Sequence, residues 1–125
     1  MANYIDGFVL PIPTSRLSEY KRVVDKVAEI WKEHGALAYF EYVGDDMILE
    51  GTLSFPEALG ANENESIVFG WVVFDSRETR DRANEHVAAD PRMHDLLKPL
   101  TDTSALIFDG RRMAYGGFKA LTLSQ

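Results

Sequence analysis

The sequence predicts an α+β fold in which an antiparallel sheet of four strands carries two helices on one face. Three observations predict this fold. An amphipathic helix separates the first two strand-like segments, a continuous apolar stretch follows a polar middle region, and a second capped helix precedes a final glycine-rich segment. The order along the chain is therefore strand, helix, strand, strand, helix, strand.

The first strand and the first helix have the clearest signals. Residues 4–12, YIDGFVLPI, are rich in aromatic and β-branched side chains and predict a strand that ends at a proline. Residues 14–34 place apolar side chains three or four positions apart, which predicts an amphipathic helix. Thr14 or Ser15 can cap its start, and Gly35 can end it in the left-handed conformation.

The middle of the chain predicts two further strands. Residues 36–43, ALAYFEYV, form the second strand, and residues 55–65, FPEALGANENE, allow a short helical turn. Residues 66–74, SIVFGWVVF, form the third strand. Because its apolar side chains do not alternate with polar ones, both of its faces are expected to be covered.

The last third predicts a helix and a strand. A helix capped by Asp75 or Ser76 runs to Asp90, where Pro91 interrupts it, and DPRMHDLLKPL adds about one further turn. Residues 112–123 form the fourth strand.

Short connections and right-handed crossovers then favour a strand order of 4-1-3-2, with both helices on one face. This is a ferredoxin-like fold, predicted here as a single domain over residues 1–125. Strands two and three are apolar on both sides, so the uncovered sheet face needs a partner. We expect a homodimer that forms through the sheet faces.

Composition excludes several classes of protein. Hydrophobic residues make up 46% and charged residues 26% of the 125, as in typical soluble domains. The 13 basic and 20 acidic residues give a net charge of −7, which opposes binding to nucleic acid or to anionic membranes. Cysteine is absent, so no disulfide can form. Without a secretory signal or an apolar segment of membrane-spanning length, a cytoplasmic location is expected.

Asp6 is the leading candidate for a functional residue, because its carboxyl lies among apolar residues in a central strand. A buried carboxyl needs a partner or a raised pKa, and Arg112, Tyr115 or the space over the nearby glycines could face it. It is either a general base or ligand anchor, or a structural hydrogen-bonding group, and we favour the structural role. His94, after the second helix, is a further candidate for proton transfer.

The segment FDGRRMAYGGF, residues 108–118, combines a turn signal, two arginines, a tyrosine and a pair of glycines. Asp109-Gly110 predicts a tight primed turn. Gly116 and Gly117 inside a strand predict a bulge, a bend or space for a neighbouring group, and a bulge is favoured over a ligand cleft. Arg112 is expected in a surface ion pair, with binding of an anionic ligand as the alternative.

Other polar and aromatic residues predict ordinary structural roles. Glu41, between Phe40 and Tyr42, raises the same question as Asp6, but it is expected on an edge strand and facing solvent. Trp71 and Trp31 are expected in the core or at a dimer interface, although either could line an apolar pocket. The three histidines match no compact metal-binding spacing, so neither a metal site nor a cofactor is predicted.

Several segments together resemble the YbaA-like family of uncharacterised bacterial proteins. They are YIDGFV, IVFGW, RDRAN, DPRM and FDGRRMAYGGF, and the likeness spans nearly the whole chain. The resemblance implies a dimeric α+β barrel, in which two ferredoxin-like sheets pack face to face. That superfamily includes cofactor-free monooxygenases, muconolactone-isomerase-like enzymes, stress-response proteins and haem-dependent members, so the fold alone does not select a chemistry.

Two functional hypotheses follow from these features. The favoured one is a dimeric protein that binds a small molecule or is structural, without catalysis. The alternative is a cofactor-free oxygenase or isomerase that acts on an aromatic or enolisable substrate, with Asp6, Tyr115 or His94 moving the proton.

Overall fold

The computed structural model describes residues 3–124 and confirms the predicted sheet. Its four antiparallel strands are β1 (Tyr4–Pro13), β2 (Ala38–Val43), β3 (Glu65–Phe74) and β4 (Ala114–Lys119). They lie in the order β2-β3-β1-β4, which is the predicted 4-1-3-2 arrangement of the ferredoxin-like fold. The two longest strands, β1 and β3, therefore form the centre of the sheet.

The helices are α1 (Leu17–Glu33), α2 (Phe55–Leu59), α3 (Arg77–Ala89) and α4 (Pro91–Thr101). Gly35 follows α1 with φ of 116°, as its predicted role requires. Ser76 caps α3, since its hydroxyl accepts a hydrogen bond of 3.1 Å from the Thr79 amide. The start of α1 differs from the prediction, because Thr14 begins a short 3-10 turn and its hydroxyl pairs with Ser66 instead of capping the helix.

The helix after Pro91 is longer than the single predicted turn. Pro91 ends α3 but also occupies the first turn of α4, where the missing amide of a proline costs nothing. The Asp90 carboxylate caps α4 by accepting a hydrogen bond of 3.0 Å from the Arg92 amide. The Asp-Pro pair therefore closes one helix and opens the next.

The predicted primed turn at Asp109-Gly110 is wrong. Gly110 does not adopt a positive φ, and the Asp109 carboxylate accepts a hydrogen bond of 3.0 Å from the Arg111 amide. This contact opens a 3-10 turn at Gly110–Arg112. The residues before Asp109 do not pair with β4, so no hairpin exists for the turn to close. The strand itself begins only at Ala114.

The bulge predicted at Gly116 and Gly117 is also wrong. The two glycines pair with Gly7 and Asp6 in an unbroken register. A Cβ atom at Gly117 would collide with the Arg80 guanidinium and the Tyr4 hydroxyl. The glycine thus leaves space for neighbouring side chains, which is the alternative reason for a glycine within a strand.

The core between the sheet and the helices consists of two clusters. The first contains Leu10, Ile12, Tyr20, Val68, Leu100 and Ile107. The second contains Ala36, Val72, Phe74 and Ala83. Phe8 packs against both clusters, so its ring lies in the region between them. Within residues 3–124, no helix is long and apolar enough to cross a membrane.

The opposite side of the sheet, here called the outer face, is rich in exposed aromatic side chains. Phe40, Tyr42, Phe69 and Phe118 are each at least 39% exposed. Trp71 lies at the centre of this face, with the Tyr42 ring stacked on it at 5.4 Å between centroids. By strand alternation, the outer face comprises Ile5, Gly7, Val9, Pro11, Pro13, Ala38, Phe40, Tyr42, Glu65, Ile67, Phe69, Trp71, Val73, Ala114, Gly116 and Phe118. Glu65 is the one charged residue in this set, and it lies at the start of β3, where it is paired with Arg112.

Candidate functional site

A cavity of about 510 Å³ lies between the sheet and the helices. The lining is mostly apolar and aromatic, and two carboxyl groups interrupt it. The lining residues are Asp6, Phe8, Tyr20, Val24, Val27, Trp31, Tyr39, Glu41, Val72, Asn84, Val87, Ala88, Met93, Leu97, Leu100, Phe108, Met113 and Tyr115. The space is partly open to solvent and is not sealed within the core.

Asp6 is buried on β1 and pairs with Arg80 of α3. The Nε atom of Arg80 lies 3.3 Å from Oδ1 of Asp6, and the two side chains are only 15% and 3% exposed. Neither of these two atoms makes an aligned hydrogen bond with any residue between 3 and 124. Arg80 also donates a hydrogen bond of 2.7 Å to the Tyr4 hydroxyl and lies 5.0 Å from the centroid of that ring. The arginine is thus held over Gly117.

Tyr115 of β4 completes this end of the cavity. Its hydroxyl accepts a hydrogen bond of 3.3 Å from the Asn84 amide and lies beside the Asp6 carboxyl. Burial raises the pKa of Asp6, and the Tyr115 hydroxyl and the Arg80 charge offset only part of that effect. Burial also raises the pKa of Tyr115. The Asp6 carboxylate is therefore protonated more readily here than it would be in water.

Glu41 forms a second polar cluster in the same cavity. The Tyr20 hydroxyl donates to one carboxylate oxygen and the Tyr39 hydroxyl to the other, each at 2.5 Å. Burial raises the pKa of Glu41, and these two hydrogen bonds lower it only in part. Glu41 was predicted to face solvent, which is wrong. Tyr39 and Glu41 share the face of β2 that points toward the helices, whereas Phe40 and Tyr42 lie on the outer face.

The structure gathers some of the predicted site residues and separates the others. Asp6 and Tyr115 both line the cavity, and Gly117 pairs with Asp6 beside it. Arg112 is remote from Asp6, because its guanidinium binds the Glu65 carboxylate at 2.6 Å and 2.9 Å. That contact is the ion pair expected of Arg112.

The remaining candidates lie outside the cavity lining. His94 is exposed on α4 and is not among the residues that line the cavity. Trp71 is on the outer face, and Trp31 is the tryptophan that lines the cavity. Gly116 is also on the outer face, where the Phe118 ring lies close to it. Between residues 3 and 124, no three acidic or histidine side chains are grouped as a metal site.

Sequence reasoning missed Arg80 and Asn84 and misplaced Glu41. A signal for the first two was present, because Arg80 and Asn84 are one helical turn apart and flank the buried Ala83. No comparable signal existed for Glu41. Both faces of its strand carry apolar or aromatic side chains, so the pattern does not reveal which of them the helices cover.

The cavity combines an apolar interior with groups that can accept or donate a proton. A carboxyl with a raised pKa beside a phenol can bind a hydroxyl, an amine or an enol, and it can also exchange a proton with such a group. Pockets that bind small molecules have this composition, with a few convergent polar groups in a mainly apolar wall.

Two comparisons of sequence relate this chain to known proteins. The family described as "Protein of unknown function (DUF1428)" matches residues 3–110. The uncharacterized protein YbaA of Escherichia coli K12 is 37% identical over 118 residues, which cover 94% of this chain and 96% of YbaA. The Shigella flexneri protein of the same name matches to the same extent.

Among solved structures, the chain is similar to Atu4242 from Agrobacterium tumefaciens, described as a nipsnap family protein with unknown function. One crystal structure of Atu4242 aligns with a TM-score of 0.59 and 19% identity, covering 98% of this chain and 92% of that one. A second gives a TM-score of 0.57 and 21% identity, covering 97% and 96%. This likeness shows a common fold. From the family match and the near full-length similarity to YbaA, we conclude that this chain belongs to the DUF1428 family of proteins of unknown function.

Proposed function

We propose that this protein binds one small, predominantly apolar organic molecule in the cavity between the sheet and the helices. The observation that carries the proposal is the volume of about 510 Å³ with its apolar lining. Sites for small organic ligands enclose about 300–1,000 Å³. Asp6 and Tyr115 at one end supply the polar contacts that would orient the ligand.

Binding of the neutral dye 1-N-phenylnaphthylamine tests this function. We expect the dye to bind with increased fluorescence, and we expect Val24→Trp to weaken binding at least about ten-fold, which corresponds to about 1.4 kcal/mol. Val24 lines the cavity, so an indole at this position takes up space that the dye needs. The measurement is a fluorescence titration of both proteins.

Phe118→Trp is the matched control, because it places the same indole on the outer face of the sheet. This variant should bind the dye as the unmodified protein does. Dye affinity that responds to Phe118→Trp and not to Val24→Trp would place the dye on the outer face and contradict the proposal, as would a complete lack of binding.

Catalysis without a cofactor is the second candidate function. It is favoured by the raised pKa of the Asp6 carboxyl beside the Tyr115 hydroxyl. In that case Asp6 would take a proton from an enolisable substrate, and Tyr115 would donate a hydrogen bond to the resulting enolate oxygen. Exchange of the α-protons of 2-tetralone in D₂O tests this function, and a rate equal to that in buffer would exclude it for this ketone class.

We also propose that two copies of the chain associate through their outer faces. The aromatic centre of the outer face, around Trp71, carries no charge and so offers nothing to a charged partner. The same aromatic surface on a second copy of the chain would be complementary to it around a two-fold axis. Its aromatic side chains are partly exposed, with Tyr42 at 60% and Phe118 at 56%. An apolar patch of this kind is typical of an interaction surface.

Introducing a charge on the outer face should separate the two copies. We expect native mass spectrometry to show a two-chain species for the unmodified protein and single chains for Phe69→Asp, since a carboxylate buried in the interface would lack a partner. Glu85→Lys on the exposed side of α3 is the control and should remain dimeric. Single chains for the unmodified protein at every concentration would contradict the dimer.

A further inference from the structure

The cluster formed by Tyr20, Glu41 and Tyr39 is the second polar feature of the cavity, and the roles of Asp6 and Tyr115 do not account for it. Each oxygen of the Glu41 carboxylate accepts one hydrogen bond, from a different tyrosine. Because a carboxylate oxygen has two lone pairs, each of them can accept one more. The two phenols hold the carboxylate in a defined orientation, and free acceptor sites remain on it.

The charged groups around Glu41 are predominantly negative. The lining of the cavity contains two carboxyl groups and no lysine, arginine or histidine. Asp6 has Arg80 as a counter-charge, whereas the side chains bonded to Glu41 are neutral phenols. Asp25 on α1 adds further negative charge near Glu41, and the nearby Lys21 is already paired with Asp25 at 2.7 Å. A carboxylate without a cationic partner in an apolar surrounding favours a ligand that carries the positive charge.

Glu41 also borders a groove that lies next to the cavity. A groove of about 480 Å³ runs between α1 and the edge strand β2, and it is lined on one side by Leu17 and Lys21 and on the other by Phe40 and Tyr42. The groove and the cavity share four lining residues, which are Tyr20, Val24, Tyr39 and Glu41. A ligand whose body lies in the cavity and whose polar end points toward the groove would therefore have that end beside the Glu41 carboxylate.

We propose that Glu41 binds the ammonium group of a small organic amine whose aromatic or aliphatic body occupies the cavity. This inference rests on the proposed function, since it names the chemical class of the ligand. The ammonium donates to the free lone pairs of the carboxylate, while Tyr20 and Tyr39 keep their bonds to it. An ammonium also neutralises the buried carboxylate, which a neutral ligand of the same shape cannot do, so the charge sets the preference among ligands of one shape.

Three probes with the same ring system test the inference on the unmodified protein. They are 2-(2-naphthyl)ethylamine, 2-naphthaleneethanol and 2-naphthaleneacetate, which are cationic, neutral and anionic at neutral pH. Isothermal titration calorimetry should show the amine binding about ten-fold more tightly than the alcohol, and the acetate binding more weakly than both.

Glu41→Gln then tests the assigned residue, because glutamine keeps the shape of the side chain and removes the charge. We expect the amine to lose about ten-fold in affinity and the alcohol to change by less than about three-fold. Glu85→Gln on α3 is the matched control, since Glu85 is exposed and lies outside the cavity lining. It should leave the affinities for all three probes unchanged.

The outcomes separate the two proposals. If the alcohol or the acetate binds as tightly as the amine, the assignment of an amine is overturned while binding in the cavity stands. If none of the three probes and no 1-N-phenylnaphthylamine binds, the proposed function itself fails. Because the comparison of probes uses the unmodified protein, it remains decisive even if Glu41→Gln does not fold.

Discussion

Replacing Arg80 with leucine should lower the free energy of unfolding by about 3–5 kcal/mol, because the Asp6 carboxylate then remains buried without a counter-charge. The Asp6 side chain is 3% exposed and Arg80 Nε lies 3.3 Å from it. The substitution also removes the hydrogen bond from Arg80 to the Tyr4 hydroxyl. Urea denaturation at about pH 8 measures the effect, with the carboxylate ionised in the unfolded chain.

The pH dependence of this loss identifies its cause. A carboxyl whose pKa is raised in the folded state stabilises the fold below its unfolded pKa and loses that contribution as the pH rises through the folded value. Burial already raises the pKa of Asp6, and removal of Arg80 raises it further. The deficit of Arg80→Leu should therefore be smaller near pH 4 than near pH 8.

Two further variants serve as controls. Arg77→Leu removes an arginine from the same helix, but that side chain is 71% exposed, so stability should change by no more than about 0.5 kcal/mol. Asp6→Val combined with Arg80→Leu replaces both charges and should recover most of the loss. A double variant that is no more stable than Arg80→Leu alone would show that the buried charge is not the cause.

Replacing Leu100 with alanine should cost about 2–5 kcal/mol of unfolding free energy. Leu100 is fully buried on α4 and packs in the cluster that contains Leu10 and Ile107. Its side chain also lines the cavity, so the lost methyl groups enlarge a space that is already open and cannot easily be refilled. Thermal and urea denaturation of the variant measure the cost.

Leu121→Ala is the matched control, because Leu121 is 98% exposed and its truncation should change stability by no more than about 0.5 kcal/mol. A cost for Leu100→Ala as small as that of the control would contradict the packing of α4 against the sheet. The sequence predicted only about one turn for α4. Its position in the fold depends on its packing against the sheet.

Most of the secondary structure was predictable, because it depends on local patterns. The spacing of apolar residues in α1, the glycine at position 35 and the serine cap at position 76 act within one or two helical turns. The errors occurred where one local signal permits two structures. Asp90-Pro91 can end one helix or begin another, and Asp109-Gly110 can close a hairpin or open a 3-10 turn.

The candidate site was less predictable, since it depends on contacts between distant segments. Asp6 and Tyr115 were identified because a carboxyl in an apolar strand is unusual and the strand order places β4 beside β1. Arg80 was missed because an arginine on an exposed helix has the same local pattern whether or not it turns toward the sheet. Glu41 was misplaced because both faces of β2 are apolar.

The sequence by itself therefore determined the order of the elements and the ferredoxin-like strand order, since hydrophobic periodicity, caps and short connections are properties of neighbouring residues. Only the tertiary structure decided which face of each strand the helices cover. That choice buries Asp6 with Arg80, turns Glu41 toward two tyrosines and leaves the aromatic residues of the outer face exposed. It also leaves the cavity, because the packing of helices on a sheet depends on the shapes of all their side chains together.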